Sequence, residues 1–183
     1  MEMTAQLIGI IAMVINICSF VQKEQKNIIA MQFVGSILFA SNMLLLGAIT
    51  GGLMNAAGIV RGLIFLNKKR LGKLKWVFTG GLFVLYIVLY ILGFVVFGKE
   101  VSTRNLLVEF LPLFAMIVMT TGFAVDGAKK TRIYGFINSP PWLIYNVINW
   151  SIGGIICEVF CISSIIVGMI RYDRKGVYKN GTV

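Results

Sequence analysis

The chain lacks several residue types on which protein chemistry usually depends. It has no histidine, three cysteines and only seven acidic residues among 183. Because acid–base groups and metal ligands usually come from these residues, an enzyme is the least favoured class and no cofactor is expected. Cys157 and Cys161 lie one helical turn apart, but this two-thiolate set is incomplete as a metal site. Because Cys18 also falls within an apolar run, we expect all three to be buried free thiols. No Walker motif is present, which indicates no direct use of ATP.

Charged residues are also scarce, at 13% against 58% hydrophobic residues, which excludes an ordinary soluble domain. A helix needs about 20 apolar residues to cross a bilayer. The apolar runs reach that length and lack the alternation of barrel strands, so we expect helices. Seven spans are predicted, at roughly 4–22, 27–47, 49–67, 76–97, 105–125, 132–151 and 152–171. The first is expected to be a retained span, because its start is not basic and no cleavage site follows.

Basic residues are distributed unevenly around these spans. Lys99 and Arg104 lie between spans 4 and 5, and Arg61 lies within span 3. The other fourteen fall on the opposite side: Lys23, Lys26, Lys68, Lys69, Arg70, Lys73, Lys75, Lys129, Lys130, Arg132, Arg171, Arg174, Lys175 and Lys179. The positive-inside rule then predicts an outer N-terminus and a cytoplasmic C-terminus. We therefore expect the net charge of +10 to set orientation and contact anionic lipid headgroups, not to bind nucleic acid.

The sequence matches itself without a gap at an offset of 103 residues, with nine identities between residues 10 and 68 and their counterparts. Ala12-Met13 aligns with Ala115-Met116, and Gly51 aligns with Gly154. One helix between the copies gives both the same orientation, which predicts an all-α membrane protein of two parallel three-helix bundles joined by a linker helix. The predicted divisions are a first bundle at 1–68, a basic loop and linker helix at 69–104, a second bundle at 105–171 and a polar tail at 172–183. A duplicated half is typical of a small transporter.

Residues 9–67 resemble a semiSWEET subunit, the three-helix half of sugar transporters. The resemblance rests on Ser19-Phe20-Val21-Gln22, Gly35, Phe39 and Asn55 in the first copy, and on Gly122-Phe123, Asn138, Trp142 and Glu158 in the second. By its length and its Asn-Ser-Pro-Pro-Trp stretch, the chain most resembles the YgjV-type bacterial inner-membrane proteins, with the PnuC-type vitamin carriers more distant. The resemblance implies a SWEET-like fold and alternating access for a small polar solute, such as a sugar or a nucleoside-like vitamin.

The same resemblance implies that prolines act in gating. Val21 replaces the proline of the family motif, and the remaining prolines are Pro112, Pro140 and Pro141, all in the second half. Proline removes an internal hydrogen bond and kinks a helix, so we expect a bend near Trp142 and asymmetric motion of the two halves.

Glu158 and its repeat partner Asn55 are the leading candidates for solute binding. A carboxylate in the membrane costs about 3 kcal/mol, so Glu158 should face the bundle interior. The alternatives for it are an interhelical hydrogen bond or an ion pair with Arg61. Trp142 could stack on a sugar or a cationic ring, with core packing as the alternative, and Phe39 is its repeat partner.

Span 6 carries a polar and aromatic stripe at i, i+4, i+7 and i+11, formed by Asn138, Trp142, Tyr145 and Asn149. We expect this stripe to face the pathway. For Arg61 we favour snorkelling to the cytoplasmic surface over a role with substrate, and for Glu109 a position at the membrane interface. Facilitated diffusion, proton coupling through Glu158 and a receptor or assembly partner on the same fold stay open, as does oligomerisation.

Overall fold

The computed structural model describes residues 2–173 and contains only helices over that range. The long helices are α1 (Glu2–Phe20), α2 (Gln25–Leu45), α3 (Ile49–Leu66), α5 (Lys75–Val95), α6 (Thr103–Ala124), α7 (Ala128–Ile148) and α8 (Ile152–Gly168). A single turn, α4 (Lys68–Leu71), and a 3-10 turn at Gly72–Leu74 connect α3 to α5, and a π turn at Met169–Asp173 follows α8. The predicted all-α class is confirmed for the described residues. Arg174, Lys175, Lys179 and most of the predicted tail lie outside them.

Six of the long helices are long and apolar enough to cross a membrane. The exception within the described range is α7, although its 21 residues equal the length of α2. Its first turns carry Lys129, Lys130 and Arg132, and further along it has several amides, which lower its hydropathy. The sequence-based boundaries differ from the observed ones by a few residues, most at the start of α7, where the helix begins at Ala128 instead of residue 132.

Glycines with positive φ and serine N-caps lie in the turns between the long helices. Gly47 and Gly127 have φ values of 75° and 107°, which residues with a Cβ rarely adopt. They lie in the turns before α3 and α7. Ser102 and Ser151 cap α6 and α8 by accepting hydrogen bonds from the backbone N–H groups of Asn105 and Gly154. The helix boundaries repeat the sequence offset, since α2 and α7 both begin and end 103 residues apart.

The six long helices other than α5 form a closed ring, in which each packs against two neighbours. Within each copy, α2 packs between α1 and α3, and α7 packs between α6 and α8. Between copies, α1 packs against α8 and α3 packs against α6, which are equivalent pairs under the repeat. Helix α5 lies outside this ring and packs against α3 and α6. We call the side where α1, α3, α6 and α8 end the basic end, and the other side the opposite end.

The surface is apolar and much of the interior is polar. Large hydrophobic residues on every long helix are exposed, among them Leu7, Val84 and Phe160. The buried set includes many polar side chains, for example Gln32, Asn42 and Thr120. This distribution differs from that in a soluble domain and fits a bundle surrounded by lipid, where polar groups are satisfied inside the protein.

Candidate functional site

A cavity of about 50 Å³ lies inside the bundle. A water molecule needs about 10–15 Å³ on this measure, so the space holds a few waters. All six helices of the two copies contribute to its lining and α5 contributes none: the residues are Asn16, Gln32, Ser36, Phe39, Met43, Asn55, Arg61, Met116, Met119, Asn138, Trp142, Asn146 and Glu158. The cavity is therefore enclosed by the two copies together.

The lining follows the internal repeat. Four pairs of residues 103 positions apart both line the cavity: Asn16 with Met119, Phe39 with Trp142, Met43 with Asn146, and Asn55 with Glu158. Equivalent positions of the two copies thus face the same space. The two copies have different side chains at these positions, so the two halves of the cavity lining differ in polarity and charge.

Five of the residues predicted from the sequence line this cavity: Phe39, Asn55, Asn138, Trp142 and Glu158. Glu158 is buried, as expected, and its carboxyl lies beside the Ser139 hydroxyl. Trp142 is buried and meets the Tyr145 ring edge-on, with 5.9 Å between ring centroids. The structure therefore brings together residues from α2, α3, α7 and α8 that are far apart in sequence.

Tyr145 and Asn149, the other two members of the predicted stripe, do not line the cavity. Asn149 follows the end of α7, roughly 16 Å along the helix axis from Asn138 at 1.5 Å per residue, which is beyond the extent of so small a cavity. Its side-chain amide donates to the Tyr145 carbonyl at 2.9 Å. Tyr145 turns toward α3 and α6 instead, and Asn146 takes its place in the lining.

Arg61 corrects the expectation of snorkelling. The residue is only 5% exposed and lines the cavity. It shares its face of α3 with the buried residues Ala57, Gly58 and Phe65, so its side chain starts inside the bundle and does not reach the headgroups. Its guanidinium lies over the Phe123 ring, 4.7 Å from the centroid. The hydropathy of α3 gave no sign of this, because the burial of Arg61 depends on packing between copies.

Several polar atoms of the lining are buried without a hydrogen-bond partner among the described residues. They are the side-chain oxygens of Asn16, Asn138 and Asn146 and the Nε of Arg61. Such atoms are costly to bury unpaired, so a water molecule or a polar solute in the cavity would stabilise them. Asn16, Gln32, Ser36 and Asn146 also line the cavity and are not among the solute contacts predicted from the sequence.

At the opposite end, a network around Tyr145 joins the two copies. The Tyr145 hydroxyl accepts a hydrogen bond from the Gly51 backbone N–H at 3.0 Å and donates to Glu109 Oε2 at 3.3 Å. Glu109 is fully buried and forms an ion pair with Lys99, which overturns its predicted place at the interface. The reason is tertiary, because the segment between α5 and α6 brings Lys99 back over the bundle. This network joins α3 of the first copy to α6 and α7 of the second.

At the basic end, Arg132 joins the copies. It is fully buried, where the sequence suggested a loop position. Its Nε donates to the Phe20 carbonyl at 3.1 Å and its Nη2 to the Gln22 carbonyl at 2.7 Å. Its Nη1 pairs with Asp173 at 2.8 Å. One side chain therefore holds the end of α1, α7 and the turn after α8 together.

The turn between α6 and α7 provides a second contact at the basic end. The Gln25 amide donates to the carbonyls of Val125 and Gly122 at 2.8 and 3.3 Å. Lys68 donates to the Val125 carbonyl at 3.0 Å and pairs with Asp126 at 3.2 Å. A hydrogen bond from Lys75 is the main cause that holds the pKa of Asp126 below its usual range.

The three prolines lie within continuous helices. Pro112 is buried in α6, while Pro140 is exposed and Pro141 half-buried in α7. Each removes one helical hydrogen bond. Cys157 and Cys161 are free and buried, with 3.7 Å between their sulfurs, as expected. Cys18 is free but exposed on α1, which corrects the expectation of a buried thiol there.

A family model for bacterial inner membrane proteins, Imp-YgjV, matches residues 3–176. The chain belongs to the Imp-YgjV family. The match includes both copies and α5, so the resemblance to YgjV-type proteins is confirmed. Neither a curated protein nor a solved structure matches the chain significantly.

The Imp-YgjV assignment agrees with the exposed apolar surface. The protein is a bacterial inner membrane protein with six long apolar helices among its described residues. Its relation to the SWEET transporters stays a prediction. The kind of solute that the cavity binds is therefore inferred from the residues that line it.

Proposed function

We propose that this protein is a transporter that moves a small polar solute across the inner membrane by alternating access between two three-helix bundles, α1–α3 and α6–α8. The observation that carries the proposal is the buried polar cavity, which all six helices line and to which four repeat-related pairs contribute. A site between structural repeats is where transporters of this general design bind solute. Phe39, Asn55, Asn138, Trp142 and Glu158 are the proposed contacts.

The proposal requires seven crossings, including the less apolar α7. Helix α7 lies between α6 and α8 and has the length to span, and much of its polarity is directed inward through Asn138, Asn146 and Arg132. With seven crossings, the basic end faces the cytoplasm and the N-terminus lies outside. Anionic lipid headgroups then contact the exposed lysines of the basic end.

Contacts between the copies at the two ends of the bundle define the step that transport needs. Hydrogen bonds join the copies at both ends, which supports the interpretation of this arrangement as an occluded one. Access from outside requires separation of Tyr145 from Gly51, and access from the cytoplasm requires separation of Gln25, Lys68 and Arg132 from their partners. The proposed hinge positions are Pro112 in α6 and Pro140 and Pro141 in α7, because each proline removes a hydrogen bond of its helix. Facilitated diffusion is the simplest mode, with proton coupling through Glu158 as its variant.

Reconstitution into liposomes tests the proposal directly. Purified protein in liposomes is expected to accelerate the entry of at least one labelled solute from a panel of sugars, nucleosides, vitamins and amino acids, relative to protein-free liposomes. An absence of flux for every solute by folded protein, together with tight binding of a peptide or lipid, would instead favour a receptor or assembly partner on the same fold.

Glu158→Gln tests the role of the cavity carboxyl. The substitution keeps the size of the side chain and removes its charge, so we expect it to abolish uptake or the pH dependence of uptake. Glu100→Gln is the matched control, because Glu100 is exposed at the opposite end. Uptake by the Glu158 variant with unchanged rate and pH profile would refute a central role for this residue.

A further inference from the structure

The cavity contains one basic and one acidic side chain that do not pair with each other. Arg61 and Glu158 both line it, and both are at least nine-tenths buried. Among the ion pairs of residues 2–173, none joins Arg61 to any carboxylate. Two buried charges of opposite sign that share a space normally attract and pair, because each is costly to bury alone.

Arg61 has weak partners for a buried guanidinium. Its Nη1 is 3.5 Å from the Met116 sulfur, which is a poor acceptor, and its Nε has no partner in the described part of the chain. The Phe123 ring stabilises the positive charge through its face. None of these contacts supplies the oxygen acceptors that a guanidinium prefers, and a carboxylate would supply two.

Glu158 lies at a different depth in the bundle. It is the repeat partner of Asn55, and Arg61 follows Asn55 by six residues on α3. At 1.5 Å per residue, the two backbone levels differ by roughly 9 Å along the helix axis, with Arg61 nearer the basic end. Trp142 also lines the cavity from α7, and the face of an aromatic ring attracts a cation.

We propose that the cavity binds a small zwitterionic solute, with the carboxylate of the solute on Arg61 and its ammonium group near Glu158 and Trp142. The inference rests on the proposed transport function and names its substrate class. A zwitterion gives the Arg61 guanidinium a carboxylate partner, and its ammonium group favours the ionised form of Glu158, so each side chain gains a partner of opposite sign. A sugar, an anion or a cation leaves at least one of the two charges without such a partner.

Thermal unfolding of the purified protein with matched solutes tests this inference. Ligands that bind only the folded state raise the melting temperature by mass action. We expect a rise with zwitterions from a graded set of glycine, L-alanine, L-proline and glycine betaine. Propionate and ethylamine, which each keep one charge of L-alanine, should give no rise at the same concentration, and glucose should give none.

Arg61→Met and Glu158→Gln separate binding from structure. Arg61→Met removes a buried charge without creating a cavity, so the unliganded melting temperature should stay equal or rise, while zwitterion binding weakens by about 10- to 100-fold. The control is Arg104→Met at an exposed arginine. Glu158→Gln should reverse the preference from L-alanine to propionate, which a purely structural role of Glu158 would not produce.

The outcomes distinguish this inference from the transport proposal. Stabilisation by glucose or a nucleoside but by no zwitterion would overturn the substrate class and leave transport standing. Propionate as effective as L-alanine in the unmodified protein would identify an anion site and overturn it too. No stabilisation by any solute, combined with no flux in liposomes, would contradict both proposals.

Discussion

At the basic end, charged side chains join the two copies by hydrogen bonds to backbone carbonyls. At the opposite end, most hydrogen bonds between the copies are made by neutral groups. Arg132 and Lys68 each contact two carbonyls of the other copy and one carboxylate. At the opposite end, the bonds between copies run from Gly51 to Tyr145, from Ser151 to Asn42 and from Gln6 to the Trp150 carbonyl. Hydrogen bonds to charged groups contribute about twice as much as neutral ones. We infer that the opposite end separates more readily.

Arg132→Gln should produce the largest loss, because it breaks the strongest junction of the basic end. Removing one partner of a buried ion pair typically costs about 3 kcal/mol or more, which is about 6–12 °C in melting temperature for a chain of this size. Thermal unfolding in detergent measures the change, and Lys130→Gln, at an exposed neighbour, is the control. Equal melting temperatures for the two variants would show that the basic end is not held by Arg132.

Gln25→Ala should have a smaller effect at the same end. It leaves the carbonyls of Gly122 and Val125 with fewer donors and is expected to destabilise by about 1–3 kcal/mol. Gln22→Ala is the matched control, because the side chain of Gln22, in the turn after α1, donates to the Cys18 carbonyl of the same copy. Thermal unfolding in detergent measures both variants. An equally large loss of stability for Gln22→Ala would contradict a role of Gln25 in joining the copies.

Tyr145→Phe should open the opposite end while lowering stability by only about 1 kcal/mol. The substitution removes the acceptor of the Gly51 N–H and a donor to Glu109. In a Cys18→Ala background, the Asn55→Cys variant reports access to the cavity through its reaction with a maleimide. We expect faster labelling from the opposite end after Tyr145→Phe but not after Tyr90→Phe, which loses a hydroxyl bond to the Leu106 carbonyl on the far side of α6 from the cavity. Unchanged labelling would show that Tyr145 does not close this end.

Asp126 should give the smallest effect. Because its pKa is lower in the folded state than the ordinary value of 3.8, it contributes stability that is present above that value and is lost as pH falls through the folded-state pKa. Its side chain is 75% exposed, so solvent screening limits the contribution to about a few tenths of a kcal/mol. The difference in stability between the native chain and Asp126→Asn should shrink on acidification below pH 4, and a constant difference would refute the linkage.

Hydropathy, charge pattern and the repeat predicted the helices and their boundaries closely, because these depend on local sequence. The same reasoning failed for Arg61, Glu109 and Arg132. Each was assigned to a surface or an interface because of its charge, yet each is buried by contacts from a distant helix or loop. Five of the seven predicted solute contacts line one cavity, since the repeat alignment fixed their depth. Tyr145 and Asn149 do not, because helical periodicity gives a face but not the length of the cavity along it.

The contact between α1 and α8 differs from its repeat equivalent between α3 and α6. Near one end of the first contact, Gly153 lies against the Gly9 backbone, and near the other end a Cβ on Gly168 would be only 2.6 Å from the Phe20 carbonyl oxygen. At these two points the helices approach backbone to backbone, and a small side chain, Ser164, bonds to the Ile17 carbonyl between them. In contrast, α3 and α6 meet through Arg61, Met116 and the rings of Phe65 and Phe123, which can change rotamer. In the proposed transport cycle, the α1–α8 contact is thus suited to be the rotation axis, and spin-label distances should vary least across it. Rotation about the α1–α8 contact would separate α3 from α6 most, so the opening between the copies would be wedge-shaped and widest beside α5.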